Sequence, residues 1–416
     1  MAPTKLHVLI VGAGLGGRFL AQILRKKGIS FEIFDEHPVE RTDSGLWPKA
    51  LTLHSVVQSL DAMLPADLPP ARQTLDVCSR LGLETQSCIY IGGNPRLGVV
   101  NSPHTPLLHV SHLEMLLWLS TNVVITRGKK ACKIDETADA VVVTFEDGTS
   151  ATGDLLVGAD GVDSFVRQHL LGEAKTEWLE GVAVHGSVIL SGDDLERQLE
   201  LGHASSIMPT RPDPTFDVMY AALLEVLPDG KSARYAWQVG GYEEGPRRDG
   251  YNMAPEDLRQ KALDLTKLID PRGRKIIEQT PAEGIEGCFY YKDAKIEEIP
   301  AARTTLMGDA AHTCAPFKGD GAVQAFRDAI RLGNGIALLE SKDRDTITNM
   351  IGDYLAEMIP RGVAAVRAGK AALTEYTNLL SRPRVFGNRL GLVPEERLTL
   401  EPSGNIKVEV TAVAAS

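Results

Sequence analysis

One short stretch near the start of the chain restricts the possible fold more than any other. Residues 6–11 (LHVLIV) are almost continuously apolar, which is typical of a parallel strand buried on both faces. Gly12, Gly14 and Gly17 follow in the spacing G-x-G-x-x-G, and residues 15–24 then repeat apolar side chains at helical intervals. A buried strand, a glycine turn and a helix in this order predict a Rossmann-like α/β domain.

The same stretch also predicts a dinucleotide site. Glycines let backbone N–H groups at a helix N-terminus approach a pyrophosphate, whose negative charge the helix dipole favours. A second predicted strand, residues 31–36 (FEIFDE), ends in acid, and Asp35 lies 23 residues after Gly12. That spacing is close to the roughly 20 residues expected for a carboxylate that binds ribose hydroxyls, and the absence of an adjacent arginine favours FAD or NAD over NADP. The alternative is a glycine turn that serves tight packing alone.

A second glycine-rich segment lies about 300 residues further on, in residues 306–325 (LMGDAAHTCAPFKGDGAVQA). Gly308 and Asp309 come first, and Gly319 and Gly321 stand just before another helix-like run. We interpret this segment as the return of the chain to the nucleotide-binding domain, where it completes the site begun at the first glycine turn.

Composition excludes several other classes of protein. At 416 residues the chain is too long for one compact core, so we expect two domains. The net charge of −11 argues against nucleic acid as a partner, and no apolar run approaches the roughly 20 residues of a membrane span. Five scattered cysteines without a CxxC pair indicate reduced thiols, so we expect a cytoplasmic protein. No cluster has metal-ligand spacing, and no G-x-S-x-G motif occurs.

The sequence pattern changes along the chain and predicts an interrupted domain. Between residues 173 and 284, short strand-like runs alternate with Pro-, Gly- and Asp-rich loops, as in an antiparallel sheet. We predict a Rossmann-like nucleotide-binding domain, interrupted by a mostly antiparallel β-sheet substrate domain and followed by a C-terminal helical segment. The predicted boundaries are 1–70, 101–172 and 285–343 for the nucleotide-binding domain, 71–100 and 173–284 for the substrate domain, and 344–416 for the helical segment and tail.

Three motifs together resemble one known family. Residues 8–36 carry the glycine fingerprint, residues 153–167 (GDLLVGADGVDSFVR) resemble an Asp-Gly motif, and residues 303–321 (RTTLMGDAAHTCAPFKGDG) resemble a Gly-Asp motif followed by paired glycines. Their order and spacing are similar to those of the FAD-dependent aromatic hydroxylases. These single-component flavoprotein monooxygenases include para-hydroxybenzoate hydroxylase, salicylate hydroxylase and the tetracycline-inactivating monooxygenases. The resemblance extends from residue 5 to about residue 345 and is weakest in the sheet segment.

The resemblance implies a role in FAD binding for residues of all three motifs. The ADP half of FAD would be held by Gly12, Gly14, Gly17 and Asp35. The remaining implied positions are Gly45 along the cofactor, His112 near its phosphates, Asp160 near the pyrophosphate, Gly308 and Asp309 at the ribityl chain, and Gly319, Gly321 and Ala322 at the isoalloxazine ring. One extended cofactor would explain why the chain has two glycine-rich helix N-termini.

The resemblance also implies the reaction. NADPH or NADH would reduce FAD transiently, O₂ would form a flavin C4a-hydroperoxide, and one oxygen atom would pass to an aromatic or polycyclic substrate. His185 and Tyr220 are the candidate catalytic residues. Arg211, Tyr235 and Trp237 are further candidates in the same segment, for which a structural role is the better interpretation. We interpret His312 as part of the motif's scaffold and Cys314 as a packing residue near the ring.

Two departures from the family pattern leave alternatives open. His112 stands where the family usually has an arginine, which predicts weaker or pH-dependent FAD retention. Asp320 replaces an uncharged residue between the paired glycines and would oppose an anionic reduced flavin unless it points away. The alternatives to a hydroxylase are a reductase or halogenase of the same fold, and a non-catalytic FAD-binding scaffold. The oligomeric state is not predicted.

Overall fold

A computed structural model describes residues 6–39, 50–90, 96–209, 218–242, 253–294, 296–316, 319–381, 396–400 and 406–410. The α-helices are α1 (Leu15–Lys26), α2 (Val57–Met63), α3 (Ala71–Leu75), α4 (His112–Leu119), α5 (Phe165–Leu171), α6 (Gly192–Leu201), α7 (Pro255–Leu265), α8 (Pro271–Gln279), α9 (Asp309–His312), α10 (Gly321–Ala337) and α11 (Arg344–Ser381). The strands are β1 (His7–Val11), β2 (Ser30–Asp35), β3 (Ala50–Leu53), β4 (Gln86–Tyr90), β5 (Arg96–Val100), β6 (Leu108–Ser111), β7 (Ile125–Arg127), β8 (Ala131–Glu136), β9 (Val141–Phe145), β10 (Ser150–Gly153), β11 (Leu155–Gly158), β12 (Thr176–Ser191), β13 (Ser205–Pro209), β14 (Val218–Val226), β15 (Ser232–Tyr242), β16 (Ile285–Ala294), β17 (Thr304–Leu306), β18 (Glu396–Leu400) and β19 (Ile406–Val410).

A five-stranded parallel sheet contains the first glycine turn. Its strand order is β17-β11-β1-β2-β7, and every neighbouring pair is parallel. Helices α1 and α10 pack together beside it, with the ring centroids of Phe19 and Phe326 4.6 Å apart. Because parallel strands all end at one edge of a sheet, the loops after β1, β11 and β17 lie side by side. The α/β prediction is confirmed, and the sheet unites segments about 300 residues apart in sequence.

A three-stranded antiparallel sheet, in the order β10-β9-β8, follows β7 along the chain. The turn between β9 and β10 contains Asp147 and Gly148. Gly148 has a φ of +82°, a left-handed conformation that glycine adopts without strain. Asp147 accepts a hydrogen bond from the backbone N–H of Thr149 at 3.0 Å, which closes the turn.

A seven-stranded sheet forms most of the second structural unit. Its order is β16-β12-β15-β14-β13-β4-β5, and all pairs are antiparallel except β13 with β4. Strands β4 and β5 come from the segment predicted as an early excursion into the substrate domain. At the other edge, the sheet continues beyond the predicted boundary at Gly284, because β16 pairs with β12. The segment also contains α6, α7 and α8, three helices that the sequence analysis did not predict.

The two faces of this sheet have different surroundings. Val184, Trp237 and Ala221 lie on one face and belong to a hydrophobic core that includes residues of α7 and α8. Trp237 fits there because Gly186, its cross-strand partner, has no side chain: a Cβ at Gly186 would lie 2.4 Å from the indole ring. The indole Nε1–H donates to Thr280 Oγ1 at 2.8 Å. Since side chains alternate along a strand, the residues between these point towards the parallel-sheet domain.

The C-terminal segment begins with α11, a helix of 38 residues that contains Pro360. After it, β18 and β19 pair as an antiparallel ladder within the segment predicted as a tail. In the part of the chain that the structure describes, we find no helix that combines the length and the apolar character needed to cross a membrane.

Candidate functional site

The three glycines of the first turn serve different purposes. A Cβ at Gly12, whose φ is +107°, would lie 2.2 Å from the carbonyl oxygen of Ala159, and a Cβ at Gly17 would lie 2.1 Å from the carbonyl oxygen of Gly12. These two positions therefore require glycine for the close packing of β1, α1 and the loop after β11. Gly14 instead faces open space, because a Cβ added there would meet nothing within 4 Å. As the N-cap of α1 it makes no side-chain cap, so a ligand can reach the first-turn N–H groups.

Asp35, at the end of β2, lies next to this turn. Its carboxylate accepts hydrogen bonds from the backbone N–H of Ala13 at 3.0 Å and from the backbone N–H of His37 at 2.9 Å. Burial raises the pKa of Asp35, but the hydrogen bonds from His37 and Ala13 outweigh it and hold the pKa below its usual value. Asp35 is therefore a carboxylate at neutral pH, with further lone pairs that can accept from ribose hydroxyls.

The Asp-Gly motif after β11 is tied to the Gly-Asp motif after β17. Asp160 accepts hydrogen bonds from the hydroxyl of Ser164, the N-cap of α5, at 2.5 Å and from the backbone N–H of Val166 at 3.1 Å. Burial raises the pKa of the Asp160 carboxyl group. The buried guanidinium of Arg167 donates to the carbonyl oxygens of Asp309, at 3.3 Å, and Ala310, at 3.0 Å. Arg167 thus fixes the two motifs relative to each other.

A buried ionic cluster stabilises the Gly-Asp turn. The carboxylate of Asp328 accepts from the backbone N–H of Gly308 at 2.8 Å, pairs with His312 Nε2 at 2.6 Å and accepts from Arg361 at 2.7 Å. Burial raises the pKa of Asp328, but His312 and Arg361 hold it below its usual value. Burial lowers the pKa of His312, yet the Asp328 carboxylate raises it overall. These contacts agree with the scaffold interpretation of His312.

The paired glycines leave the start of α10 open. Gly319 has a φ of +64°, with nothing within 4 Å of a Cβ, and the nearest atom to a Cβ at Gly321 is Asp309 Oδ1 at 4.0 Å. Asp320, the N-cap of α10, makes no side-chain cap. Its carboxylate instead lies 3.3 Å from His54 Nε2. The first-turn N–H groups of α10 are therefore accessible, as those of α1 are.

One cavity of about 1320 Å³ joins these features. Gly14 and Asp309 both line it, so the two glycine-rich helix N-termini border the same space. It exceeds the roughly 300–1,000 Å³ of an ordinary single-ligand pocket, which leaves room for a cofactor and a second molecule. Among the described residues, no group of three or more His, Cys, Asp or Glu is arranged to hold a metal ion.

The structure brings most of the predicted site residues to this cavity. Those that line it are Gly12, Gly14, Asp35, His112, Asp160, Gly308, Asp309, Gly319, Gly321, Ala322 and Tyr220, together with Cys314. Gly17 lies behind the turn, where it serves packing. Gly45 and Arg211 lie outside the described residues. Tyr235 and Trp237 point to the opposite, core-facing side of the sheet.

His185 does not line the cavity. It is 1 % exposed, stacks on Phe289 with ring centroids 4.4 Å apart, and has Nε2 3.2 Å from the Tyr291 hydroxyl. Tyr291 lines the cavity instead. Any effect of His185 on a ligand would therefore act through the orientation of Tyr291.

A chain of hydrogen bonds fixes Tyr220 at the sheet end of the cavity. His109 Nε2 lies 2.6 Å from the carbonyl oxygen of Leu223, which can only accept, so this nitrogen carries the proton. His109 Nδ1, 2.9 Å from the Thr52 hydroxyl, then accepts from it, because burial lowers the pKa of His109 to about 4 and keeps the ring neutral. Burial raises the pKa of Tyr220 to about 12, against the opposing effect of hydrogen bonds with Ser205 and Thr52. Tyr220 is therefore a neutral hydroxyl at physiological pH, not a base.

Several residues that organise the site were not predicted from the sequence. Arg167 was within a recognised motif, but its carbonyl partners are distant in sequence. Asp328 had a detectable signal, since an acid within the apolar stripe of α10 must be paired if the helix is buried there. His109 had no such signal in the sequence, because its role depends on the pairing of β3 with β6.

Comparison with known proteins agrees with this geometry. The family model described as "FAD binding domain" matches residues 125–368. The FAD-dependent monooxygenase thnD of Trichoderma harzianum is 38 % identical over 379 residues, covering 88 % of this chain and 92 % of the relative. The FAD-dependent monooxygenase phnB of Penicillium herquei is 26 % identical over 390 residues, covering 87 % of this chain and 89 % of the relative. The crystal structure of Klebsiella pneumoniae HpxO complexed with FAD and uric acid superposes with a TM-score of 0.70 at 18 % identity, covering 92 % of each chain.

Proposed function

We propose a function from the premise that this chain belongs to the family of FAD-dependent monooxygenases that includes the aromatic hydroxylases. In our proposal, the enzyme takes electrons from NADPH or NADH and transfers one oxygen atom of O₂ to an aromatic or polycyclic small molecule. A single observation carries the proposal. Two accessible helix N-termini border one cavity whose far wall is a β-sheet face with polar side chains.

The residues present fit FAD. Gly14 leaves the start of α1 open to a pyrophosphate, while Asp35 offers a carboxylate to the adenosine ribose. Asp309 would bind the ribityl chain, and the N-terminus of α10 would stabilise negative charge on the reduced ring. When bound, FAD supplies the redox chemistry, because its ring accepts electrons from a nicotinamide and activates oxygen.

The sheet face would bind and orient the substrate. The Tyr220 hydroxyl can give its proton to Thr52 or Ser205, because the Thr52 proton already goes to His109 and the Ser205 proton to Ser87. The Tyr220 oxygen then retains a lone pair that can accept a hydrogen bond from a substrate hydroxyl. Apolar side chains such as Ile89, Ile207 and Val218 would exclude water around the ring. We assign Tyr220 to positioning, and His185 to support of Tyr291.

The test begins with the absorbance of the purified protein, which should show bound flavin. NADPH and NADH oxidation is then measured with and without a panel of phenols, and products are analysed by mass spectrometry. We expect one or more phenols to stimulate nicotinamide oxidation and to gain one oxygen atom.

The alternatives predict different results. A same-fold reductase would oxidise NAD(P)H and return a reduced product without added oxygen, and a halogenase would require halide. A non-catalytic scaffold would bind flavin without turnover under any condition. A protein that binds no flavin after incubation with FAD would overturn the proposal entirely.

A further inference from the structure

The seven-stranded sheet places one buried amide between the two candidate catalytic residues. In the register of the sheet, Gln238 of β15 lies directly opposite His185 of β12 on one side and Tyr220 of β14 on the other. Directly opposed residues share a face, so the three side chains form a row on the cavity side. The row continues through Ile207 and Ile89.

Gln238 differs from its polar neighbours because its amide oxygen has no hydrogen-bond partner within the described part of the chain. Its side chain lines the cavity and is only 4 % exposed, and Oε1 is buried without a partner. His185 has Tyr291 as a partner, and Tyr220 has Ser205 and Thr52. A glutamine amide can accept through its oxygen and donate through its nitrogen, and rotation about the last side-chain bond exchanges the two ends.

A buried amide oxygen without a partner is unfavourable, so the site favours a ligand that supplies a partner to the Gln238 amide. The surrounding wall indicates what kind of ligand this is. Ile89, Ile207 and Val218 offer apolar surface for a flat ring, and Gln238 is a neutral group, suited to a neutral oxygen substituent. Such a substituent is a phenolic hydroxyl, which would donate to Oε1, or a ring-attached carbonyl, which would accept from Nε2.

Resting on the proposed function, we infer that Gln238 determines substrate specificity by hydrogen-bonding a neutral hydroxyl or carbonyl oxygen of a planar aromatic substrate. Gln238 selects oxygen-bearing aromatic molecules over hydrocarbons of the same size. Tyr220 contributes a second polar contact beside it. The flavin-binding residues of the cavity take no part in this selection.

The test uses three ring-matched probes: 2-naphthol carries a hydroxyl, 2-acetonaphthone carries a carbonyl, and naphthalene carries neither. Their dissociation constants are measured on the flavin-loaded protein from the change in flavin absorbance. We expect the wild type to bind at least one oxygenated probe about three- to tenfold more tightly than naphthalene, as one net hydrogen bond provides. The favoured probe identifies which end of the amide is used.

Gln238→Leu, which keeps most of the volume, should lose this preference while retaining its affinity for naphthalene. The matched control is Gln198→Leu, because Gln198 is also a buried glutamine, 3 % exposed, but lies on α6 outside the cavity lining. It should keep the wild-type preference. Gln238→Glu, which introduces a charge of similar shape, should weaken binding of 2-acetonaphthone.

The inference is overturned if folded, flavin-containing Gln238→Leu keeps the wild-type preference, or if the wild type shows none. Failure of the proposed function is a separate result. It would appear as an absence of oxygenated product in the wild type, whereas the probe preference is measured by binding to the flavin-loaded protein and needs no turnover.

Discussion

The backbone N–H of Gly308 donates to the carboxylate of Asp328 at 2.8 Å, and this bond joins the second glycine turn to the middle of α10. The same carboxylate is paired with His312 and Arg361, so one buried negative charge links the turn, α9, α10 and α11. The position of Asp309 in the cavity therefore depends on residues of α10 and α11 as well as on its own turn.

Asp328→Asn is expected to destabilise the protein by about 3–5 kcal/mol, because it leaves His312 and Arg361 without their buried counter-charge. Urea unfolding of the flavin-free protein measures this loss. Glu357→Gln is the control, since Glu357 also binds Arg361 but has a side chain 44 % exposed, and should cost less than about 1 kcal/mol. Equal effects of the two substitutions would contradict the assignment of Asp328 as the central residue.

Gly14→Ala and Gly12→Ala should separate cofactor binding from folding. A Cβ at Gly14 meets nothing within 4 Å, so the flavin-free variant should unfold within about 0.5 kcal/mol of the wild type. It should nevertheless bind FAD at least about tenfold more weakly, because the added methyl group stands where the pyrophosphate approaches the helix. Gly12→Ala should instead lose about 2 kcal/mol or more of stability, since it combines a clash with a φ of +107°. Unchanged FAD affinity of Gly14→Ala would rule out the pyrophosphate site.

His109 should make the stability of the protein depend on pH. Its pKa in the folded protein is about 4, below the ordinary value of 6.5, so the folded state binds fewer protons than the unfolded state between these values. The contribution of neutral His109 to the free energy of unfolding is therefore fully present above pH 6.5 and is lost as the pH falls towards 4. We expect a loss of about 2 kcal/mol between pH 7 and pH 5.

His109→Gln removes this titration and isolates it from other groups, such as Asp293, whose pKa burial raises to about 6. The free energy of unfolding of wild type and variant is measured in urea at both pH values without flavin. The wild-type advantage at pH 7 should shrink at pH 5. A constant difference between the two proteins would show that His109 does not titrate in this range.

Asp320 and His54 should adjust the reduction potential of the bound flavin in opposite directions. If the isoalloxazine ring lies at the start of α10, as proposed, Asp320→Asn removes a negative charge beside the reduced ring and should raise the potential by roughly 20–40 mV, or about 1–2 kcal/mol for two electrons. His54→Gln removes the group that lies 3.3 Å from this carboxylate and should lower the potential. Asp257→Asn, an exposed acid on α7, serves as the control. Potentials that respond to neither substitution would place the ring elsewhere.

Patterns local in sequence were sufficient to predict the two glycine-rich turns that border the cavity. The strand, turn and helix at residues 6–26 depend on near neighbours, and so does the glycine pair before α10. The expectation that Asp309 and Gly14 share a cavity came from the family resemblance, which implies one extended cofactor between two glycine-rich helix N-termini.

The sheet face that we propose for the substrate could not be predicted in the same way, because its composition depends on sheet register. Alternation shows that Gln238 and Trp237 point to opposite faces, but the sequence does not reveal which face meets the cavity. His185 and Tyr220 were selected as polar residues on strands, and they do share a face with Gln238. Of His185 and Tyr220, only Tyr220 lines the cavity, because Tyr291 from β16 covers His185. The pairing of β16 with β12 joins residues about 100 positions apart in the sequence.

The distance between the two glycine-rich helices along the chain has a consequence for biosynthesis. A nascent chain that has left the ribosome as far as α1 contains only the first glycine-rich helix N-terminus. The second is synthesised roughly 300 residues later. Arg361, which binds Asp328 and so stabilises the turn at Gly308, is synthesised later still. Stable flavin binding should therefore require synthesis of the chain through Arg361, and pulse-labelled chains truncated before Arg361 should fail to retain FAD.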